Sequence, residues 1–89
     1  MILNIGLGSD PARAAHNAAK AVNWLSWRVV AAGLSFRVQE PTTSNPEYVL
    51  IVRCTYTGDL HSICTLAKLM KQECIAVFVK STRSEERRV

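Results

Sequence analysis

Few residue groupings in this chain could do chemistry, and the first comes almost at once. Gly6-Leu7-Gly8-Ser9-Asp10-Pro11 runs from an apolar stretch into a helix start, where the amides of Gly6, Gly8 and Ser9 could cradle an anion. It is not a dinucleotide fingerprint, which would need a third glycine at Arg13, nor a P-loop, since no Gly-Lys-Ser/Thr follows. Asp10 at the cap would repel phosphate, so a tight strand-to-helix turn is the favoured reading. His16 and His61 each fall near the start of an expected helix and read as solvated surface histidines. Cys64 follows His61 by three residues but falls on the apolar face of its helix, which makes it a core thiol rather than a nucleophile. The acids Asp10, Glu40, Glu47, Asp59, Glu73, Glu85 and Glu86 form neither an Asp-x-Asp nor a Glu-x-x-His cluster. With no acid pair, nucleophile–base pair or metal cluster, the expectation is a non-enzymatic protein that needs no cofactor.

The remaining function classes are narrowed by size and charge. Of the 89 residues, 24 are Leu, Ile, Val or Phe, above the roughly one-fifth below which chains tend to stay disordered. A domain of this size buries only about 60% of its unfolded surface, so one thin core is expected and a second domain is excluded. The single domain is expected over residues 1–80, with a polar, frayed tail over 81–89. A net charge of +4 and a pI near 9.3 read first as a solvated surface with a slight Arg excess, and functionally as a fit to an acidic partner, protein or nucleic acid. Cys54, Cys64 and Cys74 are odd in number and sit in apolar runs, which predicts buried reduced thiols in a cytoplasmic protein. Met1-Ile2-Leu3-Asn4 lacks the basic start of a signal peptide, and no apolar run approaches the ~20 residues of a membrane span.

Six elements must position whatever surface does the work. A short apolar strand is predicted over 2–7, and Asp10-Pro11 then opens a helix over 11–25 with Ala15, Ala18, Ala19 and Val22 at helical spacing. A second strand is predicted over 29–38, interrupted at Gly33, and Pro41 to Pro46 is loop chemistry. The Val-, Ile- and Tyr-rich segment 48–56 is the strongest strand. Leu60, Ile63, Cys64, Ala67 and Met70 mark an amphipathic helix over 60–72, and a last strand is expected over 74–80. The order β-α-β-β-α-β, with a hairpin in the middle and right-handed crossovers outside it, predicts an α+β ferredoxin-like plait. In that plait both helices lie on one face of a four-stranded antiparallel sheet. Its core is expected from Leu3, Ile5, Val22, Leu34, Phe36, Leu50, Val52, Ile63, Ala67, Met70 and Val77.

Strand alternation then decides what the helix-free face displays. It assigns Asn4, Ser35, Arg37, Val49, Ile51, Arg53, Ala76, Phe78 and Lys80 to that face. RNA-binding plaits stack bases there on aromatic side chains, but the third strand here, Tyr48-Val-Leu-Ile-Val-Arg53, carries aliphatics instead. An aliphatic strip at Val49 and Ile51, with Phe78 beside it and Arg37, Arg53 and Lys80 around it, suits a protein partner or a second copy better. Nucleic acid is the rival partner. Trp24 and Trp27, at the helix-to-strand corner, read as core packing, and a partly exposed one would be an interface anchor.

Ile5-Gly6-Leu7-Gly8-Ser9, Leu34-Ser35-Phe36 with Pro41, and Tyr48 to Val52 followed by Gly58-Asp59-Leu60 together resemble hydroxymethyldihydropterin pyrophosphokinase across about residues 2–70. That resemblance implies the plait and, as an alternative function, a degenerate pterin- or nucleotide-binding relative of the family. It does not imply phosphoryl transfer, because the family's pterin-pairing Asn is Leu50 here and its Asp-x-Asp for magnesium is missing from these 89 residues. In size and basicity the chain also resembles small bacteriophage accessory proteins, including inhibitors of CRISPR–Cas complexes. What that implies is a protein that blocks a host complex by binding it.

Overall fold

The computed structural model describes residues 1–28, 33–54 and 60–82 and contains the six elements in the expected order. They are β1 (Ile2–Gly8), α1 (Pro11–Arg28), β2 (Ser35–Gln39), β3 (Tyr48–Arg53), α2 (Leu60–Gln72) and β4 (Phe78–Thr82). α1 starts where the sequence placed its cap. The Asp10 carboxylate accepts the Ala12 amide at 3.2 Å, and the Asp10 carbonyl accepts the Ala14 amide at 2.8 Å. No Gly or Pro follows Leu25 within the helix, and α1 continues to Arg28, a turn past the expected end. The strands assemble in the order β2-β3-β1-β4, every neighbouring pair antiparallel, which is a ferredoxin-like plait. The β1–β3 ladder extends one residue beyond β1, since the Met1 ammonium donates to the Cys54 carbonyl and the Cys54 amide donates back to Met1, both at 3.0 Å.

Two strand boundaries differ from the sequence reading for backbone reasons. β2 begins at Ser35, because Gly33 adopts φ +82° and cannot belong to an extended strand. The expected segment 29–32 lies outside the described residues, as do residues 55 and 56 at the end of the third strand. β4 begins at Phe78 rather than at residue 74, because Cys74 closes α2. Cys74 has φ +58°, its amide donates to the Lys71 carbonyl at 3.1 Å, and the Ile75 amide donates to Met70 at 2.9 Å. That hydrogen-bond pair is the Schellman motif, and the apolar contact that accompanies it is supplied by Met70 and Ile75, both fully buried. At its other end β4 runs to Thr82, so Ser81 and Thr82 belong to the sheet and not to a tail.

The core lies between the helices and the sheet face carrying Leu3, Ile5, Leu7, Leu50 and Val52. α1 contributes Ala14, Ala21, Trp24 and Leu25; α2 contributes Leu66 and Met70. Asn17 is the one buried polar side chain among the described residues, and its Nδ2 donates to the Leu7 carbonyl at 3.3 Å. Compared with the expected Ala15/Ala19 stripe, α1 is rotated by about one residue: Ala14 and Ala21 are buried, while Ala15 and Ala19 are exposed. Val22 and Leu34 sit at the core margin, Ala67 is only half-buried, and the Ile63 side chain lies outside the described set. Phe36 and Val77 are not core residues, at 39% and 52% exposure. Phe36 has the expected parity, but α1 packs on β1 and to a lesser extent β3, leaving β2 uncovered. The thiols divide likewise. Cys54 is buried, whereas Cys64, off the Leu66–Met70 stripe, and Cys74, at the helix cap, are exposed.

The left-handed residue at position 74 makes a quantitative expectation. An L-residue there costs about 1–2 kcal/mol, of which glycine's extra unfolded-state entropy takes back about 0.5–1. Cys74→Gly is therefore expected to raise the melting temperature by about 2–6 °C and Cys74→Val to lower it, both measured by circular dichroism.

Candidate protein-binding surface

Strand register settles which side chains share the open face of the sheet. Three rows cross it from β2 to β4. They are Gln39–Val49–Gly6–Phe78, then Arg37–Ile51–Asn4–Lys80, then Ser35–Arg53–Ile2–Thr82. Eight of the nine residues assigned to this face from the sequence are in these rows. Ala76 is the exception; it precedes β4 and packs at the core margin. Arg37, Arg53 and Lys80 thus share a face on which no strand position is acidic. Arg37 and Lys80 are three strand spacings apart, roughly 14 Å, so the cations rim the face rather than cluster.

The apolar part of this face is organised by a glycine. A Cβ at Gly6 would collide with the Phe78 ring, which occupies the space above that position. The ring thereby replaces the missing side chain on a central strand. Val49, the neighbour of Gly6 in the same row, is only 4% exposed although no helix covers it. Lys80 Nζ stands 5.7 Å from the centre of the same ring, within cation–π range. Ile51 is half-buried, and with Phe78 and Ile2, also half-buried, it carries the apolar surface that the face still offers. A shallow hollow of about 330 Å³ lies beside it, lined by Ile2, Ser35, Phe36, Arg37, Ile51 and Arg53.

The glycine turn has a structural explanation at each position. Gly6 seats Phe78, and its carbonyl accepts the Val77 amide at 2.8 Å. Register slips between Gly6 and Gly8, a β-bulge in which Gly8 takes φ +94°. Ser9 is exposed, and the Asp10 carboxylate already sits where an anion would approach the helix. Leu50 faces the helices and is fully buried. His16 is exposed and the His61 side chain is outside the described set. No group of three metal-ligating side chains occurs among the described residues, and none of their helices is long and apolar enough to cross a membrane.

One feature escaped the sequence reading. Ala18, Ala19, Val22 and Ser26 of α1 face Phe36 and Val38 of β2 across a cleft of about 490 Å³. The helical stripe taken for core was its signal. Beyond this cleft the two tryptophans part, with Trp24 in the core and Trp27 at 79% exposure. Comparison with protein-family models, with curated proteins and with solved structures finds no match for this chain.

The seating of Phe78 on Gly6 is open to a double-mutant cycle. Gly6→Ala is expected to cost about 1–3 kcal/mol in urea unfolding, because the ring must move. In a Phe78→Ala background the same substitution should cost little, giving a coupling of about 1 kcal/mol or more. Additive costs would show that the ring does not depend on the glycine.

Proposed function

We propose that the chain is a non-enzymatic binding protein whose open sheet face docks on an acidic protein surface. The supporting observation is the register itself. It puts three cations around Ile51 and Phe78 on a face without acids, an apolar centre with a charged rim. Two exposed free thiols among three suit a reducing compartment, the cytoplasm. In this reading the chain acts by occupancy, covering a surface that a larger complex needs, as the small phage inhibitors it resembles do. Nucleic acid is the less favoured partner. Three dispersed cations fall short of the six or so phosphate contacts that give useful affinity, and the Phe78 ring is packed down on Gly6 rather than offered for stacking.

The test is affinity capture on the tagged chain from bacterial lysate, with and without nuclease. A nuclease-resistant protein partner is expected, and Ile51→Asp, Arg53→Glu and Lys80→Glu should each reduce its recovery about tenfold while circular dichroism stays unchanged. Recovery of nucleic acid alone, lost steeply with salt, would overturn the protein reading in favour of its rival.

A further inference from the structure

The edge of the sheet at β2 carries a more specific mode of binding. Among the described residues β3 is the only strand paired with β2, so the peptide groups on its outer side have no ladder partner. The two faces of this edge differ in chemistry. On the helix side, Phe36 and Val38 are 39% and 47% exposed and look across the cleft at Ala19 and Val22. The small α1 side chains leave that cleft open to further aliphatic groups. On the other side, Arg37, which also borders the cleft, lines the hollow with Arg53, and neither guanidinium has an ion-pair partner among the described residues.

We infer that the β2 edge is a strand-addition site for an extended segment of an acidic partner protein in which aliphatic and acidic side chains alternate. A strand laid beside β2 takes main-chain hydrogen bonds from its free edge and sends successive side chains to opposite faces. One set enters the cleft against Ala19 and Val22; the other meets Arg37 and Arg53. The charge argument favours a foreign strand over a second copy. β2 reads Ser-Phe-Arg-Val-Gln, with a cation and no acid, and each copy brings a net charge of +4. An antiparallel self-pairing centred on Arg37 would set two guanidiniums directly opposite each other. The inference rests on the protein-binding reading above and supplies its geometry.

The test uses the full chain and a fluorescein-labelled octapeptide of alternating valine and glutamate, followed by anisotropy. Saturable binding is expected, with the valine–lysine counterpart and versions N-methylated on alternate amides failing to bind. Arg37→Glu and Ala19→Gln, both at exposed positions, should each weaken binding about tenfold, and Arg37→Glu should transfer preference to the lysine peptide. Absence of binding, or binding indifferent to both substitutions, overturns the inference. So does sedimentation showing a dimer that Ala19→Gln dissociates, which would make the occupant a second copy. The two proposals fail separately. Partner capture lost with Lys80→Glu but untouched by Ala19→Gln would leave the open-face reading standing and remove strand addition. Peptide binding without any captured protein would do the reverse.

Discussion

The position of α1 over the sheet is the constraint on which the other features depend. Asn17 fixes it by donating to the Leu7 carbonyl, next to the bulge where β1 changes register. A buried amide left without that acceptor would cost about 1–3 kcal/mol, so the helix is held in both rotation and translation. Ala14 and Ala21 then let the helix lie close on β1, and Trp24 and Leu25 fill the space toward its C-terminus. With α1 held there, β2 is left outside the covered part of the sheet. The exposure of Phe36 and Val38 and the cleft above them both follow from that offset.

Gly6 has the same organising role on the opposite face. A central strand would ordinarily show a side chain at every second position, and the gap at Gly6 is filled from β4 by Phe78. In the same row Val49 is buried although its parity turns it away from the helices. Cation–π contact with Lys80 sets a charge at the edge of that apolar cover. The two faces of one thin sheet are therefore finished differently, one by helices offset to one side and one by a single aromatic ring.

Element type and order were legible from composition and period because each segment has one dominant signal. Asp10-Pro11 announces α1, and the Tyr48–Val52 run can only be a strand. Alternation also assigned eight of the nine open-face residues correctly, since a parity once fixed carries along a strand; Ala76 failed because it precedes β4. Three matters depend on contacts that a linear reading does not contain. Cys74 in the left-handed region is an exception to the glycine rule for helix ends, and its thiol gives no sign of it. The rotation of α1 is decided by Asn17, a polar residue that a hydrophobic pattern discounts. Val49 has the parity of an exposed residue and is nevertheless buried, which alternation along a strand does not foretell.

The strand order also governs how the chain is made. β1 lies in the interior of the sheet between β3 and β4, yet it is the first strand to be synthesised. At the usual ~5–20 residues per second, roughly 2–9 s separate the synthesis of β1 from that of β3, and β4 comes later still. The hairpin of β2 and β3 can form at once from local contacts, whereas β1 must wait with its apolar residues unsatisfied. Its two glycines and Asn4 lower the β-propensity of the waiting segment and so its tendency to pair with another nascent chain. The glycine that seats an aromatic ring in the finished sheet thus also protects the unfinished one on the ribosome.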